Sequence, residues 1–169
     1  MKPPRIVIMG VSGCGKSTVG AQLAQRLGVS FLEGDALHPP RNIELMRSGI
    51  ALTDEDRREW LDAIGQRLQA LADDEGLVIA CSALKRSYRD RLRQACADLL
   101  FVHLHGRPAL IAQRLAQRQN HYMPSALLES QFATLEAPDE TEAAWSFDIE
   151  SDASHLVDRI SQQLQEHTT

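Results

Sequence analysis

Residues 5–18 read RIVIMGVSGCGKST, and this stretch limits the possible folds more than any other part of the 169-residue chain. An apolar run of strand length leads directly into a glycine-rich loop, after which the pattern becomes helical. Gly10, Gly15, Lys16 and Ser17 match G-x-x-x-x-G-K-[ST], the phosphate-binding loop that connects a strand to a helix. Because both flanks fit, we interpret the stretch as a nucleoside-triphosphate site and not as a glycine-rich turn with a surface lysine.

The chemistry of this loop explains its spacing. Glycines let the backbone curl so that successive N–H groups face phosphate oxygens, and the following helix adds its N-terminal dipole. Lys16 is expected to reach the β- and γ-phosphates, and the Ser17 hydroxyl is expected to bind Mg²⁺. Cys14 is interpreted as a space-filling residue and not as a redox centre. The predicted nucleotide contacts within the loop are Gly10, Val11, Ser12, Gly13, Cys14, Gly15, Lys16, Ser17 and Thr18.

Short apolar runs alternate with longer amphipathic stretches along the chain. Helical patterns are predicted over residues 17–27, 107–117 and 154–165, and Thr53 begins a capping-box pattern with Asp56. Alternation of this kind predicts a three-layer α/β/α fold of the P-loop NTPase type, with a five-stranded parallel sheet that binds ligands at the carboxyl ends of its strands. The predicted strands are residues 5–9, 29–33, 77–81, 99–104 and 145–149.

Composition excludes several classes of protein. An apolar fraction of 43% and the absence of a long linker predict one domain spanning residues 1–169. A net charge of −5 disfavours nucleic acid as a partner. Three cysteines without metal-type spacing are typical of reduced thiols, and no apolar run is long enough for a signal peptide or a membrane span. We therefore expect a cytoplasmic protein that does not contact a membrane.

The loop alone does not identify the acceptor of the phosphoryl group. A GTPase switch is disfavoured because the chain has no Asn-Lys-x-Asp sequence. The third predicted strand ends in Cys81 and Ser82 where a Walker-B strand would end in Asp, so the carboxylates must come from elsewhere. Glu33 and Asp35 follow the second strand. One of them can support Mg²⁺, for which we choose Glu33, and the other can accept a proton from an attacking hydroxyl. A solvated acidic turn is the alternative interpretation.

Five blocks of the sequence resemble the bacterial gluconokinase family. They are GVSGCGKST, EGDALHPPRNIELMRSG, LTDEDRREWL, ACSALKRSYRDRLR and HYMPSALLESQFATLE, and the resemblance runs from about residue 5 to 138. Members of this family are small P-loop kinases that phosphorylate D-gluconate at its C6 hydroxyl with ATP. The resemblance implies an acceptor-binding helical segment at about residues 38–60 and a helical lid at about residues 114–135. It also implies a homodimer.

The resemblance suggests roles for residues near the acceptor. Asp35 matches the carboxylate that orients and deprotonates the acceptor hydroxyl. Gluconate also carries a carboxylate, for which Arg57, Lys85 and Arg86 remain alternative partners; Arg57 lies in the charge run DEDRRE, which is also typical of a solvated helix face. His38 is either a substrate contact or a helix-entry histidine. Further candidate substrate contacts are Ser82, His121 and Gln131.

Two arginines four residues apart define the predicted lid. Arg114 is similar to the arginine that stacks on adenine in related kinases, and Arg118 to the lid arginine that neutralises charge on the transferring phosphoryl group. Two exposed arginines on a surface helix are the alternative. The lid sequence departs from the family pattern at Gln119, Asn120 and Tyr122. Two alternatives to a gluconokinase remain open. One is a kinase of the same fold that acts on shikimate or a nucleoside monophosphate, and the other is a non-catalytic regulatory domain that binds nucleotide.

Overall fold

Five parallel strands form the centre of the described part of the protein. The computed structural model describes residues 2–117 and 125–168. The strands lie in the order β2-β3-β1-β4-β5, so that the strand preceding the phosphate loop is central. Their bounds are β1 Arg5–Met9, β2 Ser30–Glu33, β3 Leu77–Ala80, β4 Leu100–His105 and β5 Ala144–Asp148.

In the described part of the chain, seven helices surround this sheet. A short 3₁₀ turn, Gly34–Leu37, follows β2 directly. The helices are α1 Lys16–Leu27, α2 Pro40–Arg47, α3 Asp54–Gln69, α4 Arg86–Ala95, α5 Pro108–Ala116, α6 Ser125–Thr134 and α7 Ala153–Thr168. Among the residues described, no helix is both long and apolar enough to cross a membrane.

The central strand separates two apolar cores. Side chains of a strand alternate between faces, so Ile6 and Ile8 point to one side while Val7 and Met9 point to the other. The first pair packs with residues of α1 and α7, and the second with residues of α3 and α4. All four side chains are fully buried. The predicted three-layer α/β/α fold with a five-stranded parallel sheet is therefore confirmed.

Local signals placed the element boundaries well. The Thr53 hydroxyl accepts a 3.1 Å bond from the Asp56 amide, and the Asp56 carboxylate accepts a 2.9 Å bond from the Thr53 amide, so the predicted capping box starts α3. The five strands lie within one residue of their predicted positions. One helix, α4, was not predicted from the sequence. Of the predicted lid, Arg118 and His121 lie outside the described residues.

Candidate active site

The phosphate loop is shaped by close approach between its backbone and β4. Gly10 has a φ of +146°, and a Cβ atom there would lie 2.6 Å from the Leu104 carbonyl oxygen and 2.7 Å from the Cys14 sulfur. Only glycine fits this position. Val11 and Cys14 are buried in the core, which agrees with the interpretation of Cys14 as a packing residue.

The interior of the loop carries unpaired backbone donors. Within the described ranges, the N–H groups of Gly13 and Gly15 have no hydrogen-bond acceptor. Helix α1 begins at Lys16, so the first N–H groups of this helix also lack intrahelical partners. The Lys16 ammonium group donates a 3.0 Å hydrogen bond to the Val11 carbonyl. This concentration of donors at a helix N-terminus is suited to binding phosphate.

Ser17 and Glu33 meet beside the phosphate loop. The Ser17 hydroxyl donates a hydrogen bond to the Glu33 carboxylate, which joins the start of α1 to the end of β2. Hydroxyl and carboxylate oxygens are hard ligands of the type that Mg²⁺ prefers, so the pair fits this ion. No group of three or more His, Cys, Asp or Glu side chains in the described part of the chain is arranged to hold a metal. The site therefore fits an ion that takes its other ligands from phosphate and water.

Asp35 lies in the 3₁₀ turn, at the carboxyl end of β2. A Cβ atom at the neighbouring Gly34 would collide with the Ala80 carbonyl of β3, so glycine is required where the turn crosses the adjacent strand. The Trp60 indole donates a 2.8 Å hydrogen bond to the Gly34 carbonyl. The backbone is thereby fixed, while the Asp35 side chain remains 64% exposed and faces a cavity.

His38 is held against Trp60 next to Asp35. The two rings stack with their centroids 4.2 Å apart, and the His38 side chain is only 4% exposed. Burial lowers the pKa of His38 to about 4; Asp35 opposes this shift and Arg57 adds to it. Its Nε2 atom lies 4.0 Å from the Asp35 carboxylate. The ring is therefore neutral at neutral pH and presents Nε2 toward Asp35.

A cavity of about 560 Å³ brings most of these groups together. It extends from the phosphate loop to the α2–α3 region, and helix α6 forms part of its wall. This size is typical of a small-molecule site. Its polar lining residues are Ser12, Lys16, Asp35, His38, Arg47, Arg57, Trp60, Ser82, Ser130 and Gln131.

Arg57 supplies a fixed guanidinium group to this cavity. Its Nη1 donates a 2.9 Å hydrogen bond to the Tyr88 hydroxyl, and the guanidinium carbon lies 5.4 Å from the centre of the Tyr88 ring. The Tyr88 hydroxyl in turn donates to Asp54. Burial and the bond to Asp54 raise the pKa of Tyr88 to about 12, so the hydroxyl keeps its proton. Arg57 therefore belongs to a supported site and not to a fully solvated helix face.

The two other predicted carboxylate partners have other acceptors in the structure. Lys85 donates a 3.0 Å bond to Asp54, and the Arg86 guanidinium donates a 2.6 Å bond to the Thr141 hydroxyl. Neither residue lines the cavity, although Ser82 from the same loop does. Their roles in substrate binding stay predictions without a contact to support them.

Sequence reasoning did not single out Arg47, Trp60 and Tyr88 as site residues. Arg47 ends α2 and lines the cavity, and in the described part of the chain it has no hydrogen bond or ion pair. Trp60 lies among the buried apolar residues of α3. A buried indole or phenol needs a hydrogen-bond partner, and this need is the general signal that could have identified Trp60 and Tyr88.

The predicted nucleotide contact Arg114 lies on α5, away from the acceptor groups. Its guanidinium donates a 2.7 Å hydrogen bond to the Ile149 carbonyl, just after β5. The contact fixes the arginine near the carboxyl ends of the strands, and stacking on adenine stays a prediction.

Gln131 lines the cavity, but its side-chain oxygen also accepts a 2.7 Å hydrogen bond from the Ser12 amide of the phosphate loop.

A phosphate loop on a parallel sheet, with a carboxylate and an arginine facing it across one cavity, defines a P-loop kinase that transfers phosphate to a small molecule. A protein-family model described as an AAA domain matches residues 6–138. The chain is 49% identical over 146 residues to a gluconokinase of Gluconobacter oxydans, covering 84% of this chain and 80% of that protein.

Solved structures agree with these sequence matches. The crystal structure of a gluconokinase from Sinorhizobium meliloti has a TM-score of 0.86 and 44% identity, covering 99% of this chain and 98% of that one. A sugar kinase from Janibacter has a TM-score of 0.91 and 43% identity, covering 96% and 95% of the two chains. The chain belongs to the gluconokinase family.

Proposed function

We propose that the protein transfers the γ-phosphoryl group of ATP to the C6 hydroxyl of D-gluconate, giving 6-phospho-D-gluconate and ADP. The observation that carries the proposal is the single cavity into which Lys16, Asp35 and Arg57 all face. Lys16 belongs to the donor side, and the other two groups supply a proton acceptor and a carboxylate partner. Membership of the gluconokinase family supports this choice of acceptor.

The donor side is built to hold a triphosphate. The unpaired N–H groups of the loop and the Lys16 ammonium group bind phosphate oxygens and take up negative charge as transfer proceeds. Ser17 and Glu33 would hold Mg²⁺, which when bound neutralises phosphate charge. Arg114, and Arg118 from outside the described residues, are proposed to contact adenine and the transferring phosphoryl group respectively.

The acceptor side is built to bind and orient a polyol acid. Arg57 pairs with the gluconate carboxylate, and Arg47 adds positive charge to the same cavity. Asp35 orients the C6 hydroxyl and accepts its proton while that oxygen forms a bond to the γ-phosphorus. The bond from this phosphorus to the β,γ-bridging oxygen breaks, and ADP leaves. His38, Ser82 and Gln131 are proposed as hydroxyl contacts, together with His121 from outside the described residues.

The setting of the enzyme is also proposed. All three cysteines are free and buried, which supports a reducing compartment such as the cytoplasm. A net charge of −5 supports a small-molecule partner and not a nucleic acid. The homodimer rests on the family resemblance, and sedimentation at several protein concentrations measures it directly.

An acceptor panel tests the proposed function. ADP release is measured with gluconate, glucose, shikimate and AMP, and phosphorus NMR of the product locates the new ester. We expect gluconate-dependent turnover with phosphate on C6, and loss of that turnover in Lys16→Ala. Faster turnover with shikimate or AMP would reject the proposed substrate. ATP binding without turnover on any acceptor would instead favour a regulatory domain.

A further inference from the structure

Asn42 contacts the one ring nitrogen of His38 that does not face the cavity. The asparagine lies on α2, is 2% exposed and is not among the groups that bind substrate in the proposed function. Its amide nitrogen lies 3.2 Å from Nδ1 of His38 and 2.8 Å from the backbone carbonyl oxygen of Asp56 in α3. Both contacts are made by the same atom.

These two contacts determine where the His38 proton resides. The Asp56 carbonyl can only accept a hydrogen bond, so the Asn42 atom facing it must be the NH₂ group. That group has two hydrogens and no acceptor capacity, and its second hydrogen is directed to His38. Nδ1 must therefore be the unprotonated nitrogen, and the proton lies on Nε2. A charged ring would place an N–H donor against the Asn42 donor.

The resulting tautomer is complementary to a hydroxyl group. Nε2 and the Asp35 carboxylate oxygen are 4.0 Å apart, too far for a direct hydrogen bond but close enough for one oxygen atom to contact both. A hydroxyl has one hydrogen to donate and lone pairs to accept. Asp35 offers only acceptors and Nε2–H offers only a donor, so a hydroxyl placed between them satisfies both. The opposite tautomer would present it with two acceptors.

We infer that Asn42 is a positioning residue that holds His38 in the Nε2–H tautomer, so that His38 and Asp35 together bind the acceptor hydroxyl of the substrate. Trp60 supports the same arrangement by stacking on the His38 ring and bonding to the Gly34 carbonyl beside Asp35. The identity of that hydroxyl as C6 of gluconate rests on the proposed function.

The variant Asn42→Asp inverts this relationship with little change in shape. A carboxylate at position 42 accepts a hydrogen bond from Nδ1–H, so the neutral ring carries its proton on Nδ1 and loses its Nε2–H, while the charged ring keeps both. The same carboxylate favours the charged ring and therefore raises the pKa of His38. The charged groups facing His38 are otherwise Asp35 from the 3₁₀ turn and Arg57 from α3. The KM for gluconate in Asn42→Asp, relative to the intact protein, is therefore expected to rise about tenfold between about pH 6 and about pH 9. The KM for ATP is expected to keep its ordinary pH dependence.

Two further measurements distinguish an effect of the His38 tautomer from a general structural effect of the substitution. In the double variant His38→Gln with Asn42→Asp, the glutamine amide donates at every pH, so the added pH dependence should disappear. Proton–nitrogen correlation spectra of the histidine rings, assigned with His38→Gln, should show the proton on Nε2 in the intact protein. In Asn42→Asp at high pH they should show it on Nδ1.

The possible results distinguish failure of this inference from failure of the proposed function. A proton on Nδ1 of His38 in the intact protein overturns the inference, and this measurement holds even where Asn42→Asp fails to fold. A folded Asn42→Asp with an unchanged KM for gluconate at both pH values also overturns it. Absence of gluconate phosphorylation by the intact protein rejects the proposed function alone, because the ring spectra still report the tautomer.

Discussion

The backbone N–H of Ser12 donates a 2.7 Å hydrogen bond to the side-chain oxygen of Gln131. The first residue belongs to the phosphate loop and the second to α6, 119 residues later in the chain. This bond fixes one wall of the cavity to the loop that holds the nucleotide. Changes at Gln131 should therefore affect both stability and nucleotide binding.

Replacing Gln131 separates these two effects. Gln131→Leu leaves the Ser12 amide without an acceptor, and we expect the free energy of unfolding to fall by about 1–2 kcal/mol. Gln131→Glu keeps an acceptor for the Ser12 amide, so the free energy of unfolding should change little. The added negative charge near the phosphate site should raise the KM for ATP. Chemical denaturation and ATP kinetics measure the two quantities. The exposed Gln94→Leu on α4 is the control, expected to change stability by less than about 0.5 kcal/mol.

Asp35→Asn removes the proposed proton acceptor while keeping the shape of the side chain. The turn is held by the Gly34 backbone and Trp60, so the fold and the KM for ATP should remain close to their original values. We expect kcat to fall by about 10²–10⁴, the range for losing a general base. Single-turnover assays with ATP and gluconate measure this loss. Turnover like that of the unaltered enzyme would exclude Asp35 as the base.

Arg57 and its neighbour Arg58 form a matched pair for testing carboxylate recognition. Arg57 lines the cavity and bonds to Tyr88, whereas Arg58 is 60% exposed and pairs with Glu55 at 3.4 Å. Arg57→Lys removes the planar fork and should raise the KM for gluconate at least about tenfold. Arg58→Lys should change it little. Equal effects of the two substitutions would show that Arg57 does not bind the gluconate carboxylate. Arg47→Lys would then be the next variant to measure.

The sequence was a good guide to the fold because its signals are local. The phosphate loop fixes β1 and α1, apolar runs mark the other strands, and Thr53 with Asp56 marks the start of α3. Helix α4 was missed because RSYRDRLRQA is mostly polar and charged. Burial of its Arg89 depends on partners far along the chain, which no local pattern contains.

The acceptor site was harder to predict from the sequence than the fold, because charge alone does not show which cation faces the substrate. Lys85, Arg86 and Arg57 are equivalent as cations in the sequence, and only tertiary contacts distinguish them. Lys85 donates to Asp54, while Arg57 lines the cavity and donates to Tyr88. The positioning role of Asn42 was equally hidden, because it depends on an α3 carbonyl 14 residues away.

The buried ion pair of Arg89 and Glu142 supports the loop that carries Ser82. The guanidinium makes two bonds to the carboxylate, of 2.7 and 2.8 Å, and one of 2.8 Å to the Ala83 carbonyl. Arg89→Met leaves the Glu142 carboxylate buried without its main partner, and we expect a loss of about 3–5 kcal/mol in stability. The exposed Arg91–Asp62 pair is the control, since Arg91→Met should cost less than about 1 kcal/mol. Thermal and urea unfolding measure both, and equal losses would contradict the supporting role of the pair.

Two buried histidines should make stability fall in mild acid. Burial lowers the pKa of His38 and of His103 to about 4, with Arg57 adding to the first shift, and His105 and Arg89 to the second. Between the ordinary value of 6.5 and about 4, the unfolded chain binds more protons than the folded protein, so the free energy of unfolding decreases as pH falls. Each histidine contributes a slope of at most about 1.36 kcal/mol per pH unit. Urea unfolding across this window measures the slope, and His103→Leu should reduce it while the exposed His155→Gln should not. An unchanged slope in His103→Leu would show that His103 is not kept neutral by folding.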